Sequence, residues 1–193
     1  IANGKPSAVP LAIQDKDLGQ EILDSINTKT LRIYTSEDLT GLQIGGAVKN
    51  VIAIACGVAK GMKMGESTTA ALMTRGLAEM GRLVSAMDGQ KMTLMGMCGI
   101  GDMVLTCHSE QSRNFSLGAQ LASGRSIEEI LEERDGKCVT EGFYTAKALK
   151  KMADQHAVDM PISRSVYECL YEGKPIKDGI RDLMDRPAKS MFQ

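Results

Sequence analysis

The chain has 193 residues, of which 43% are hydrophobic and 24% are charged, and its formal net charge at pH 7 is −1. This composition is typical of a soluble globular protein, and a near-neutral chain gives no reason to expect binding to nucleic acid or to an anionic membrane. No apolar run reaches the ~20 residues of a membrane span. The five cysteines form no CxxC pair, so we expect free thiols, a cytoplasmic protein and no metal site.

Residues 1–40 predict a β-α-β unit. The short apolar segment Ser7–Ile13 indicates a strand, and its Pro10 favours an edge position. Helical spacing predicts a helix over 17–26, and alternating polarity predicts a second strand over 30–35. Two strands and one helix cannot bury both faces of a sheet. We therefore expect the unit to be the end of a larger α/β domain, and the chain to be a C-terminal fragment.

A buried helix is predicted next. Residues 45–56 are apolar on every side of the predicted helix apart from a lysine and an asparagine, which favours burial. Thr40 and Gln43 match a capping box at its start. Lys60-Gly61 is typical of its end, where a cation meets the negative pole of the helix dipole.

Lys49 interrupts this apolar helix. A lysine in apolar surroundings loses hydration, which favours its neutral form and allows it to exchange a proton. Small residues before it, at Gly45, Gly46 and Ala47, leave room for a ligand or for another backbone. The alternative is a lysine whose stem covers apolar surface while its ammonium group reaches water.

The rest of the chain is predicted to be helical. Periodicity predicts helices over 67–87 and 141–156. Ser126 and Glu129 form a capping box that opens a short helix to about Arg134. Two further helices follow, one after Pro161 and Ser163 and continuing to Tyr171, the other with Pro175 in its first turn and continuing to Met184.

Two polar motifs interrupt the helices. Gly99-Ile100-Gly101-Asp102 resembles half of a phosphate-binding loop, and the alternative is a tight turn in which Asp102 caps the next helix. Ser112-Arg113-Asn114 offers donors that suit a phosphate, and the alternative is a solvated arginine at a helix start. Cys107-His108 is not a nucleophile and its base, because adjacent residues do not converge on one substrate atom.

Several segments in this order closely resemble the bacterial-type NAD(P)-dependent glycerol-3-phosphate dehydrogenases. The resemblance runs from Asn3 to Lys189. It is carried by residues 45–57 (GGAVKNVIAIACG), residues 70–80 (AALMTRGLAEM), Gly99–Asp102, Ser112–Asn114, Thr140–Gly142, Met160–Ile162 and Arg186. The sequence departs from the family at Gly65-Glu66-Ser67, where the family usually has asparagine in place of the serine.

The resemblance implies a fold and a function. It implies a mainly α chain, with 1–40 as the end of a Rossmann domain and 41–193 as an all-α substrate-binding domain of the 6-phosphogluconate dehydrogenase-like type. The enzyme would use NAD or NADP to interconvert sn-glycerol 3-phosphate and dihydroxyacetone phosphate, supplying phospholipid synthesis. It would form a homodimer through the helical domain. The dinucleotide motif GxGxxG is absent from the chain, so we expect the chain alone to be inactive.

The resemblance also assigns residues to roles. Lys49 matches the proton-transfer lysine, and Asp102 and Thr106 match substrate-site positions. The substrate phosphate would contact Ser112, Arg113 and Asn114, and the cofactor would contact Arg113, Val139 and Glu141. We expect Lys49, Asp102 and Arg113 to line one cleft that faces the dinucleotide-binding domain.

Two alternatives remain. The chain could belong to another 3-hydroxyacid-type dehydrogenase, in which Arg113-Asn114 binds a carboxylate. It could also be a helical assembly module without catalysis, although assembly alone does not require a buried Lys49 together with Asp102 and Arg113.

Overall fold

The computed structural model describes residues 3–134 and 139–187, and helices dominate both ranges. The N-terminal elements are β1 (Ser7–Ala12), α1 (Lys16–Ile26) and β2 (Leu31–Ser36). The helices that follow are α2 (Leu39–Gly61), α3 (Glu66–Ala86), α4 (Asp102–His108), α5 (Arg113–Ala122), α6 (Ile127–Arg134), α7 (Glu141–Gln155), α8 (Pro161–Tyr171) and α9 (Ile176–Met184). A 3₁₀ helix (Lys91–Met95) and a π-helical turn (Met97–Gly101) connect α3 to α4.

The predicted β-α-β unit is confirmed. β1 and β2 pair in parallel from Ser7 opposite Leu31 to Ala12 opposite Ser36, and α1 makes the crossover between them, as parallel strands require. Within the described residues, the sheet consists of these two strands. The division into domains at residue 40 stays a prediction, and α2 already begins at Leu39.

Helix α2 forms the centre of the domain. Val51, Ile52 and Ala53 are fully buried in the hydrophobic core, as the apolar pattern predicts. By length and composition α2 could also span a membrane, but more than half of its apolar window is buried inside the molecule. It is therefore the core helix of a globular fold.

The start of α2 differs from the prediction. Its N-cap is Asp38, whose Oδ1 accepts a hydrogen bond from Gly41 N at 2.8 Å, so the capping box predicted at Thr40 and Gln43 is wrong. Asp38 Oδ2 also accepts from Gln90 N at 2.9 Å and from Thr93 Oγ1 at 2.6 Å. The cap is thus favoured by contacts with a distant segment, which local spacing does not reveal.

Helices α2 and α5 approach each other closely. A Cβ at Gly57 would overlap the carbonyl oxygen of Phe115, and a Cβ at Gly118 would overlap the carbonyl oxygen of Ile54. Only glycine permits such a contact between two backbones. The approach holds the two helices side by side, and Asn114 in the first turn of α5 reaches Asn50, the residue after Lys49 on α2.

Two other helix starts are fixed by side chains. The capping box of α6 is confirmed, because Ser126 N donates to Glu129 Oε2 at 3.1 Å and Glu129 N donates to Ser126 Oγ at 3.2 Å. Helix α8 includes Pro161 as its first residue, so the expectation that Pro161 precedes the helix is wrong. Proline fits there because first-turn N–H groups have no intrahelical partner.

A carboxylate from α3 binds the N-terminus of α8. Glu79 is 1% exposed, and it accepts hydrogen bonds from Ile162 N at 2.6 Å, Ser163 N at 3.1 Å and Ser163 Oγ at 2.8 Å. Burial raises the pKa of the Glu79 carboxyl, against the opposing effect of these hydrogen bonds and of Arg82. The contact ties α3 to α8.

The cysteines of the described residues are free thiols, as expected: Cys56, Cys98, Cys107 and Cys169. Cys138 lies outside the described residues, as do positions 1–2 of the predicted Rossmann remnant and 188–193 of the predicted helical domain.

Candidate functional site

The lysine of the central helix has a carboxylate partner. Lys49 Nζ donates to Asp102 Oδ2 at 2.7 Å. The Lys49 side chain is 19% exposed and that of Asp102 is 40% exposed, so the pair lies at the edge of the core with one side open to solvent. The ammonium group is therefore held by a charge-assisted hydrogen bond, rather than extending freely into water.

The segment before Asp102 explains its position. Met97–Gly101 is a wide π-helical turn that continues directly into α4 at Asp102. The tight turn with Asp102 as a helix cap is therefore wrong, because the segment is helical and Asp102 makes no side-chain cap. The likeness of this segment to a phosphate-binding loop stays a prediction. A Cβ at Gly99 would overlap the backbone of Leu94, so glycine is required for this compact arrangement.

The small residues before Lys49 have different surroundings. A Cβ at Gly45 would lie 2.6 Å from the carbonyl oxygen of Cys98, so the π-helical turn occupies the space beside this glycine. A Cβ at Gly46 would meet nothing within 4 Å. The predicted close approach of another backbone thus occurs at Gly45, and it brings the turn that carries Asp102 to the lysine helix.

Among the other residues of α4 considered above, Thr106 lies on the same face as Asp102. The two are four residues apart, the spacing of side chains that share one face of a helix, and Thr106 is half-buried. Cys107 is fully buried and His108 is exposed. A hydrogen bond with Cys56 and burial both raise the pKa of the Cys107 thiol. This geometry agrees with excluding a Cys-His nucleophile.

The predicted phosphate motif opens helix α5. Ser112 is the N-cap, and its Oγ accepts from Phe115 N at 3.3 Å. Arg113 is the first helical residue, and its Nη2 donates to Glu141 Oε1 at 2.8 Å. Both side chains are about half exposed. The arginine is thus neither freely solvated nor buried, and it is oriented by the first residue of α7.

Asn114 joins three helices. It is 4% exposed. Its Nδ2 donates to Asn50 Oδ1 at 2.9 Å, and its Oδ1 accepts from Gly142 N at 2.8 Å. A Cβ at Gly142 would lie 2.7 Å from both Asn114 Oδ1 and Asn50 O. The side-chain oxygen and amide of Asn114 are therefore engaged inside the protein, and its predicted contact with a phosphate would fall to its backbone N–H.

This bridge brings the Lys49–Asp102 pair and the Arg113–Glu141 pair into one region. Lys49 precedes Asn50, Arg113 precedes Asn114, and Glu141 precedes Gly142, so the three charged residues lie on adjoining turns of α2, α5 and α7. Val139 is 58% exposed just before α7. The roles of these residues toward substrate and cofactor stay predictions.

Sequence reasoning missed Asn50 and Gly142 as members of the site. The available signal was weak: Asn50 is a second polar residue inside an apolar helix, directly after the lysine, and Gly142 follows a glutamate assigned to the cofactor. Neither pattern identifies the partner, because Asn114 is 64 residues from Asn50 and 28 residues from Gly142.

The architecture defines a class of protein. The described residues form an all-helical domain around one buried helix, preceded by a short parallel β-α-β unit. This is the C-terminal helical domain of the 6-phosphogluconate dehydrogenase-like type that the resemblance implies, and the expected fold class is confirmed.

Sequence comparison identifies the family. The family model described as "NAD-dependent glycerol-3-phosphate dehydrogenase C-terminus" matches residues 38–181, and the chain belongs to that family. It is 43% identical over 186 residues to glycerol-3-phosphate dehydrogenase [NAD(P)+] of Staphylococcus haemolyticus, covering 96% of this chain and 55% of the relative. It is 46% identical to the enzyme of that name from Maricaulis maris, with the same coverage. The chain thus spans about 55% of the length of these relatives.

Solved structures agree with this family. The crystal structure of glycerol-3-phosphate dehydrogenase from Coxiella burnetii matches with a TM-score of 0.91 and 36% identity, covering 96% of this chain and 56% of that one. Glycerol-3-phosphate dehydrogenase GPD1 from yeast (Saccharomyces cerevisiae) matches with a TM-score of 0.84 and 24% identity, with the same coverage. The yeast likeness supports the fold alone, whereas the bacterial one also agrees with the family assignment.

Proposed function

We propose that this chain forms the substrate-binding half of an enzyme that interconverts sn-glycerol 3-phosphate and dihydroxyacetone phosphate with NAD or NADP. The observation that carries the proposal is the pair formed by Lys49 Nζ and Asp102 Oδ2, 2.7 Å apart at the edge of the core. The names of the curated relatives support the same activity.

Lys49 would transfer the proton. When bound, the nicotinamide supplies a hydride to C2 of dihydroxyacetone phosphate or accepts it from glycerol 3-phosphate. Reduction of the carbonyl creates an alkoxide oxygen, and the Lys49 ammonium donates a proton to it. In the opposite direction the neutral amine takes the proton from the C2 hydroxyl. Asp102 holds the nitrogen in one position by a charge-assisted hydrogen bond.

The N-terminus of α5 would bind the substrate phosphate. First-turn N–H groups of a helix have no intrahelical partner and carry a partial positive charge, so they suit a phosphate dianion. Arg113 adds a guanidinium at the same end of the helix, and Ser112 adds a hydroxyl. Binding there would fix the reacting carbon relative to Lys49, which makes the proton transfer effectively intramolecular.

The start of α7 would contact the cofactor. Val139 is exposed, and the ion pair of Arg113 with Glu141 is about half exposed. An apolar side chain next to hydrogen-bonding charged groups fits a nucleotide that is held mainly by a separate dinucleotide-binding domain. We also propose, from the family resemblance, a cytoplasmic homodimer that joins through the helical domain and supplies phospholipid synthesis.

Turnover by the complete product of the gene tests this function. We expect nicotinamide absorbance to change with glycerol 3-phosphate and with dihydroxyacetone phosphate, and to stay constant with 3-hydroxyacids of similar size. Preference for a hydroxyacid would contradict the proposal and would favour a carboxylate at Arg113.

A lysine variant tests the mechanism. Lys49→Met should lower kcat by about 10²–10⁴-fold, the usual contribution of general acid–base catalysis, while cofactor affinity stays close to wild type. The matched control is Lys60→Met on the same helix, because Lys60 is more exposed and pairs with Glu66 at 3.5 Å. Near wild-type turnover by Lys49→Met would remove the lysine from the reaction.

A further inference from the structure

We propose that Arg134 is a positioning residue for the substrate phosphate, an inference that rests on the proposed function. Arg134 is the last residue of α6 and is half-buried. It belongs to none of the motifs that carry the family resemblance. Its guanidinium lies between the starts of α5 and α7, the two helix ends to which the proposed function assigns phosphate and cofactor.

The contacts of Arg134 reach both helix ends. Nη1 donates to the carbonyl oxygen of Arg113 at 2.9 Å and to Thr140 Oγ1 at 2.8 Å. Nη2 donates to Ser116 Oγ at 3.1 Å. Arg113 and Ser116 form the first turn of α5, and Thr140 is the N-cap of α7. One planar group therefore connects the two helix starts directly.

This connection complements the one made by Asn114. On the buried side, Asn114 Oδ1 accepts from Gly142 N at 2.8 Å. Arg134 makes the second tie, to the residue directly before Glu141. The separation of Arg113 from Glu141 is thus fixed at two points, and their ion pair at 2.8 Å follows from that separation. Without the second tie, the separation of Arg113 from Glu141 would be fixed at one point instead of two.

The chemistry of arginine suits this position. A guanidinium presents its donors in a rigid plane, so it can hold acceptors from two elements at fixed angles, whereas a lysine ammonium is a single point at the end of a flexible stem. The three acceptors of Arg134, one backbone carbonyl and two hydroxyl groups, are therefore held by one rigid group.

Kinetics of the complete gene product test the inference. Arg134→Gln should raise the KM for glycerol 3-phosphate roughly tenfold, as expected when hydrogen bonds that hold a charged site are lost, with kcat within about twofold. The inhibition constant of inorganic phosphate, used as a probe competing with glycerol 3-phosphate, should rise by a similar factor. Thr140→Val removes one acceptor and should produce part of the same rise.

Arg82→Gln is the matched control. Arg82 is also half-buried and donates to a backbone carbonyl of another segment, Asp159 O, at 2.8 Å. Its loss should lower the thermal midpoint and leave both the KM and the phosphate constant unchanged. Equal changes in both variants would show a general loss of stability and would overturn the positioning role.

A charge-conserving variant separates geometry from electrostatics. Arg134→Lys keeps the charge but not the planar fork, so it should restore only part of the lost phosphate affinity. Complete restoration would show that charge alone matters, and an unchanged KM in Arg134→Gln would show that Arg134 has no role; either result would overturn the proposal. Absence of turnover by the wild-type protein would instead contradict the proposed function itself, so the two failures are distinguishable.

Discussion

The side chain of Asn114 donates a hydrogen bond to the side chain of Asn50, with 2.9 Å between Nδ2 and Oδ1. These two residues directly follow Arg113 and Lys49 in the sequence. The bond therefore joins the helix that carries the proposed proton donor to the helix that carries the proposed phosphate site. Through Gly142 N the same asparagine also holds the start of α7.

Asn114→Ala should destabilise the protein and weaken the site together. The substitution leaves Gly142 N–H and the Asn50 amide without their partner in a buried position, which costs about 1–3 kcal/mol for each unsatisfied group. We expect a loss of about 2–4 kcal/mol in urea unfolding and a lower kcat/KM for glycerol 3-phosphate. The control is Gln111→Ala in the exposed loop before α5. Unchanged unfolding of Asn114→Ala would contradict the bridge.

Arg113→Ala should weaken substrate binding more than it slows the chemical step. Arg113 is proposed to contact the phosphate, which is distant from the reacting carbon, so its loss should raise the KM strongly. One charge-assisted contact contributes about 1.5–3 kcal/mol, which corresponds to roughly 10–150-fold in KM. Steady-state kinetics in both directions measure this, and Arg164→Ala on the surface of α8 is the control. A KM equal to that of the wild type would remove Arg113 from the site.

Gly118→Ala should disturb the packing of α5 on α2. A methyl group at this position would overlap the carbonyl oxygen of Ile54, and a backbone atom cannot move aside as a side chain can. Overpacking typically costs about 1–3 kcal/mol, and more where nothing yields. Gly46→Ala provides the contrast, because a Cβ there meets nothing within 4 Å. Thermal unfolding should show a large decrease for the first variant and little change or a gain for the second.

The contribution of Asp38 should depend on pH. Burial acts to raise the pKa of Asp38, but hydrogen bonds from Thr93, Gly41 and Gln90 outweigh it and hold the pKa below the ordinary value of 3.8. A group whose pKa is lower in the folded protein than in the unfolded chain stabilises the fold at pH values above its unfolded-state pKa. That stabilisation is lost as the pH falls through its folded-state pKa.

Asp38→Ala is therefore expected to cost about 2–4 kcal/mol near pH 7, from the lost cap and the lost bonds to a buried carboxylate. The difference from wild type should shrink steadily below about pH 4. Urea unfolding at several pH values measures it, with Asp185→Ala as the control, because Asp185 is exposed and has a right-handed helical backbone. A difference that stays constant from pH 7 to pH 3 would show that the carboxylate charge does not contribute.

The local elements of this chain could be predicted because their causes are local. Residues 45–56 are apolar on all sides of the helix apart from Lys49 and Asn50. That pattern favours a buried helix whatever the rest of the fold. The capping box at Ser126 and Glu129 contains both of its partners within four residues. Likewise, the alternation over 30–35 is sufficient to indicate a strand.

The sequence by itself determined the helices, the strands, the family and the lysine on which the proposed mechanism depends. The tertiary structure decided which groups these residues meet: Asp38 caps α2 because Gln90 and Thr93 also bind it, and Asp102 faces Lys49 across 53 residues of sequence. Such partners are chosen by how the helices pack, and glycines at Gly57 and Gly118 set that packing through backbone contact. Periodicity and capping patterns describe one element at a time, so they cannot specify a contact between two elements.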